Sequence, residues 1–409
     1  MTLKEEFIKL GYTEEDYEII RNNYSINSIK DETLIKKLKD NFNYLLKMGY
    51  TKEEVIKMTT KLPSIYGYSI ENMKQKIEDM IALGYTKEEV IKITKSFPAI
   101  YSLSIENIKQ KIEDIISLGY TKEEVIKMTK SLPPIYGLSI ESIKQKIEDI
   151  ISLGYTKEEV IKITKSFPAI YSLSIENMKQ KIEDMIALGY TKEEVIKMTK
   201  SLPPIYGYSI ESIKQKIEDM IALGYTKEEV IKMTKSLPAI YGLLIESMKQ
   251  KVDDMIDLGY TKEEVIKITK SFPAIYSLSI ESMKQKIEDI IELGYTKEEV
   301  IKMAKNLPSI YGLSIENIKQ KIEFYDSIGI HELAVINPKQ LIQSVNLSYA
   351  RYSFYKDRGI DIDIKSHKKL FIEQKRFEKA YGITKKELLE KYDYNKYKEE
   401  KEKEHGRII

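Results

Sequence analysis

The chain has 409 residues, with 66 basic and 64 acidic side chains giving a formal charge of +2. So even a balance argues against recognition by bulk charge. It has no cysteine, which excludes disulfides and thiolate metal sites, and no apolar run near the ~18 to 20 residues of a membrane span. A repeat organises the rest. The string GYTKEEVIK returns every 35 residues from Gly49 to Gly294, with Gly329 in register, and a proline keeps the same beat from Pro63 to Pro308. A fixed period of this size implies stacked supersecondary units, each burying its apolar face against its neighbours.

In chain order, residues 1–47 read as a degenerate N-terminal capping repeat. Leu10-Gly11-Tyr12-Thr13-Glu14-Glu15 restarts the motif 38 residues before Gly49 but lacks the proline. The opening MTLKEEFIKLGYTEED reads as a repeat-like helix rather than an Arg/Ser-rich transit segment. As given, the sequence suggests a soluble intracellular protein, cytoplasmic unless a targeting segment is missing and the destination is an organelle.

Residues 48–327 hold eight near-identical repeats, and the copy from Leu83 to Ser117 shows their logic. Thr86 and Glu89 form a capping box, Tyr85 and Val90 a hydrophobic staple, and Pro98 stops a first helix at about Phe97. Val90, Ile93, Thr94 and Phe97 share its inner face. Pro98-Ala99-Ile100-Tyr101 is long enough for one extra helical turn. Ser104 then caps a second helix whose expected buried stripe is Ile105, Ile108, Ile112, Ile115 and Ile116. Gly119 falls where a left-handed cap requires a residue without a Cβ. Tyr101 suits either packing or a groove.

Residues 328–395 read as a degenerate repeat and a basic C-terminal capping unit, and 396–409 as a charged tail. The region after Gly329 contains four of the five arginines. There Arg351, Arg358, Lys368, Lys369 and Arg376 stand among Tyr349, Tyr352, Phe354 and Tyr355. Basic groups interleaved with aromatics suit phosphate and base contacts; a solubilising cap with an aromatic core fits equally well.

The expected fold is an all-α superhelical solenoid of about nine 35-residue helical repeats with degenerate terminal caps. Equivalent helices of stacked repeats lie about 10 Å apart. Lys92, Lys127, Lys162, Lys197, Lys232, Lys267 and Lys302 then form one row, and Lys111, Lys146, Lys181, Lys216, Lys251, Lys286 and Lys321 another. Such combs of point charge neutralise phosphates without reading bases. The same lysines also allow ordinary i,i+4 pairing, Glu88 with Lys92 and Lys109 with Glu113. Polar variation between copies is confined chiefly to Asn or Ser at positions such as Asn72, Asn107 and Ser142, too little for a one-repeat, one-base code.

Leu83, Gly84, Glu88, Glu89, Pro98, Ser104, Glu106 and Lys111 recur through Ile328 in an order that resembles the mitochondrial transcription termination factor family. The stretch with Ser348, Arg351 and Gly359 is similar to that family's closing segment, as is KLFIEQKRFEKAYGI, with Phe371 and Phe377, to its tail. The resemblance spans roughly residues 48 to 390. It implies a left-handed superhelix of three-helix repeats whose basic concave groove binds double-stranded DNA or structured RNA in organellar transcription and RNA metabolism.

No glycine-rich phosphate loop, nucleophile motif or distinctive carboxylate pair is present, and His331, His367 and His405 are isolated. The reading is therefore a non-catalytic, monomeric nucleic-acid-binding protein without metal or cofactor and without a membrane role. The alternative is a protein-interaction scaffold that binds a helix or peptide in its concave face.

Overall fold

A computed structural model describes residues 2–405, with side chains for 2–399. All regular elements among the described residues are helical. They fall into two compact units, Met1–Ile210 and Glu211–Ile409.

Each regular repeat is an α-helix, a 3-10 turn and a second α-helix. In the copy that begins at Gly84 these are Lys87–Ser96, Pro98–Ser102 and Ile105–Ser117. The Glu89 carboxylate accepts from the Thr86 N–H at 2.8 Å, while the Thr86 hydroxyl accepts from the Glu89 N–H. This box fixes the helix start and contributes about 1 kcal/mol. The helix ends one residue earlier than expected. Phe97, before the proline, takes φ −135° and ψ 72° and serves as the C-cap. The Ser104 hydroxyl caps the second helix through the Asn107 N–H at 3.0 Å. Gly154 shows why glycine ends these helices: its φ is +116°, and a Cβ there would lie 2.9 Å from Ile196 Cδ1 of the next repeat.

The core is made by Val90, Ile93 and Thr94 of the first helix, Ile100 and Tyr101 of the turn, and Ile108, Ile112 and Ile115 of the second helix. Each fully buried branched residue contributes about 1.5 to 3 kcal/mol. Ile105 and Ile116, expected in that stripe, are only half-buried because they sit at its edge, about 50° and 70° from its centre.

Successive repeats are keyed by hydroxyl groups. The Tyr120 phenol meets Thr164 Oγ1 at 2.6 Å and the Tyr171 hydroxyl at 2.9 Å. Thr164 Oγ1 also donates to the Val160 carbonyl. Burial pushes the phenols of Tyr120 and Tyr171 above their ordinary range. Tyr50, Tyr85 and Tyr155 in the first unit and Tyr225 in the second make the same three-way contact. The staple position is thus also a bond to the next repeat, and the Tyr101 position is core rather than groove. Tyr12 keeps the pattern with Thr59 and Tyr66 although three extra residues intervene.

The second unit closes differently. Beyond the helix Ile315–Ser327 come the short helix Leu333–Ile336, the 3-10 turn Pro338–Ile342 and the helix Val345–Lys356. A second 3-10 turn, His367–Phe371, leads into Gln374–Tyr381, Lys385–Lys391 and Tyr394–His405. Phe354, Tyr355, Leu370, Phe377 and Leu388 are fully buried among them. The expected charged tail is helical through His405; its residues 406–409 lie outside the described residues.

Candidate nucleic-acid interface

The outward line of each first helix follows from its 100° step. Glu88, Lys92 and Ser96 lie opposite the buried Val90, Ile93 and Thr94 and are exposed. At 1.5 Å per residue these three stand about 6 Å apart along the axis. First helices of successive repeats are neighbours within a unit. Stacking therefore produces a row of acids, a row of lysines and a row of small polar residues, side by side. Lys57, Lys92, Lys127, Lys162 and Lys197 make the lysine row of the first unit, Lys57 being a member that sequence reading leaves out, and Lys232, Lys267 and Lys302 make that of the second. All eight are exposed, and no ion pair engages them among the described residues.

The ion pairs that do form run between repeats, instead of Glu88–Lys92 and Lys109–Glu113. Lys95 reaches Glu54 at 2.8 Å, Lys130 reaches Glu89 at 2.7 Å, and Lys165 reaches Glu124 at 2.7 Å. Lys270–Glu229 and Lys305–Glu264, each at 2.6 Å, repeat this in the second unit. The Lys130 ammonium, followed by the Thr86 N–H, holds the Glu89 carboxyl below its usual value. Glu54, Glu89, Glu124, Glu159, Glu229 and Glu264 are thereby each paired with a lysine of the following repeat, whereas Glu299 has no such bridge among the described residues; beside the Lys92 row the exposed opposite charge is the Glu88 row.

The second lysine row stands elsewhere than expected, and this is a correction to its phosphate-binding role. Lys111 donates to the Leu138 carbonyl at 2.5 Å, Lys146 to Leu173 at 2.5 Å, Lys251 to Leu278 at 2.5 Å and Lys286 to Leu313 at 2.7 Å. Lys181, Lys216 and Lys321 make the same bond to Tyr208, Leu243 and Leu341. The carbonyl just before the next second helix lacks an intrahelical partner, and the ammonium supplies one. These side chains clasp one repeat to the next. Burial holds Lys216, Lys251 and Lys286 below the ordinary lysine value and brings Lys321 down to about 8.

The helices also differ in sign. In the Gly84 copy the first carries three lysines against two glutamates, the second two lysines against three acids. Its outward line, Glu106, Gln110 and Glu113, is acidic and exposed.

The C-terminal candidates divide. Arg351 is 1% exposed, donates to the Leu370 carbonyl and to Gln374 Oε1, both at 2.9 Å, and lies 4.9 Å from the Phe377 ring centre. Packing, not a ligand, uses its charge, so it too is removed from the interface. Phe354 and Tyr355 are core, and Tyr349 packs on Phe324 and Tyr397. Arg358, Lys368, Lys369 and Arg376 are exposed, although Arg358 lies over Phe354 and Arg376 sits 3.5 Å from Glu373. Sequence reading does not single out Lys339, exposed on the closing 3-10 turn beside the lysine row. The available signal is positional: the residue after the turn's proline is Ser, Ala or Pro in the eight regular copies and Lys only here. Among the described residues no trio of His, Asp or Glu is arranged to hold a metal, and no helix is long and apolar enough to cross a membrane.

Stacked three-helix repeats keyed by side chains, with a regular row of charge along one helix of each, define a helical-repeat protein with an extended polar surface. The mTERF family model matches residues 4–152, 143–222 and 220–377, and the chain belongs to that family. No curated protein matches it.

Proposed function

We propose that this protein binds nucleic acid without catalysis, gripping the phosphate backbone of double-stranded DNA or structured RNA along its first helices. The observation that carries this reading is the Lys92 row: eight exposed lysines at one helical position, Lys57 to Lys302, outside the ion pairs of the Lys95 positions and the clasps of the Lys111 positions. Family membership supports the same class of ligand. The backbone would follow the lysines and the Ser96 side of the row, away from the Glu88 side, and the acidic second helices would repel it. Recognition of this kind is sensitive to salt and tolerant of sequence.

The test is an anisotropy titration of labelled duplex DNA and structured RNA across a salt series. Each phosphate neutralised on duplex DNA adds about 0.9 to the logarithmic salt slope. Changing Lys92, Lys127 and Lys162 together to Glu should weaken binding and flatten that slope. Wild-type protein that binds neither ligand near 50 mM salt would refute the reading. The half-exposed isoleucines beside acids on the second helices, such as Ile81 and Ile186 at 42% exposure, favour a protein partner as the second reading.

A further inference from the structure

We propose that a depression in the second unit, between the first helices Lys262–Ser271 and Lys297–Asn306 and the closing turn Pro338–Ile342, is a discrete phosphate-binding site that anchors one end of the bound backbone. The inference rests on the nucleic-acid reading above and adds a place and a polarity to it.

The depression measures about 420 Å³, and Lys267, Lys305 and Lys339 stand in its wall with Ser271, Asn306 and Ser309. No carboxylate lines it. Lys305 shares its charge with Glu264 at 2.6 Å. Lys267 and Lys339 are exposed and have no ion pair among the described residues, so two positive charges outside any direct ion pair face one cavity. A phosphate oxygen is the acceptor that suits such a set, because each ammonium gives a charge-assisted bond; the Ser309 hydroxyl and the second amide N–H of Asn306 add neutral donors, while the Ser271 hydroxyl already donates to the Ile268 carbonyl.

The site is peculiar to the closing repeat. At the position of Lys339 the regular copies have Ser64, Ala99, Pro134, Ala169, Pro204, Ala239, Ala274 and Ser309, none of them charged. Within the second unit the regular 3-10 turns bring no lysine beside the row; the turn Pro338–Ile342 brings Lys339 into one depression with Lys267. A backbone lying on the second unit's part of the row therefore meets its strongest phosphate contact at this turn, and that asymmetry fixes where it stops. The phosphate is either an internal diester or a terminal 5′-phosphate.

Amine-reactive footprinting of the full chain, read by mass spectrometry, tests this with three probes: a duplex with a 5′-phosphate, the same duplex with a 5′-hydroxyl, and inorganic pyrophosphate. Lys267 and Lys339 should be protected together. Equal protection by both duplexes identifies an internal diester, and protection only by the phosphorylated one identifies a terminal phosphate. Salt titrations of K267A, K339A and the double variant supply the second readout. If the two lysines hold one phosphate, the double variant lowers the slope by about 0.9, not the roughly 1.8 of two independent phosphates. Additive slopes, or a Lys339 that reacts equally with and without every probe, would overturn the site while leaving the Lys92 row intact. Protection by pyrophosphate in a protein that binds no duplex or RNA would instead keep the site and sink the nucleic-acid reading.

Discussion

The regular repeats and the closing segment beyond Gly329 join helices by different chemistry. Between regular repeats the contact is keyed by polar groups: a buried Tyr-Thr-Tyr hydroxyl cluster, a lysine on a backbone carbonyl and a Lys–Glu bridge. In the closing segment the hydroxyl key disappears. Ala304 already replaces the threonine, so Tyr260 meets Tyr311 alone, and Tyr295 bonds to the His331 carbonyl while stacking on the His331 ring at 4.2 Å. Aromatic packing takes over, with Phe377 between Phe354 at 5.3 Å and Tyr381 at 4.8 Å. A repeat that must accept a neighbour on each side needs directional contacts to fix its register. The described helices beyond Gly329 carry no copy of that key and are held by ring packing.

Four substitutions or conditions press on this difference. The largest effect is expected from Phe377→Ala, which removes a fully buried ring and should destabilise the closing helices by about 3 to 5 kcal/mol, while protection of the regular repeats in hydrogen exchange stays unchanged. Loss of protection throughout both units would show that the closing segment is no separate structural element.

The seam between the two chemistries is the Lys321 clasp on Leu341, and it should respond to pH. Burial lowers this lysine from 10.5 to about 8, so between those values the unfolded chain binds more protons than the folded one. Stability from this group therefore rises with pH through that window, on the order of 1 kcal/mol per pH unit. The buried phenols act oppositely: with pKa values raised above 10.0, they withdraw stability once pH passes 10. Urea midpoints of wild type and Lys321→Met at pH 7 to 10 should diverge above pH 8, and parallel curves would remove Lys321 from this role.

Tyr120→Phe deletes one phenol from a three-membered cluster and should cost about 1 kcal/mol, read as a lowered midpoint with the helices intact. Smallest is Lys111→Met: a stability loss under about 1 kcal/mol and no change in nucleic-acid affinity, because that ammonium serves a carbonyl. A fall in affinity as large as that of Lys92→Met would restore the second row to the interface.

The repeat, its capping boxes, the proline stop and the glycine ends were legible because each is a local rule acting on neighbouring residues. Thr86 and Glu89 announce a helix start wherever they occur. The outward position of Lys92 was legible for the same reason, as helical phase alone decides it. What Lys111 does was not, since its partner carbonyl lies 27 residues away and depends on how far one second helix is offset from the next. The Tyr120 cluster, with partners 44 and 51 residues on, was hidden likewise. Arg351 looked like an exposed cation among aromatics, and only the path of the chain to Leu370 and Gln374 turns it inward.

The key that joins Tyr85 to Thr129 and Tyr136 is the one that joins Tyr120 to Thr164 and Tyr171. A chain lacking residues 120–154 would run from Gly119 straight into Tyr155 and offer Tyr85 the same two hydroxyls, now from Thr164 and Tyr171. Array length is thus a quantity that recombination within the coding sequence can add to or subtract from in whole steps, with no joint to be reinvented.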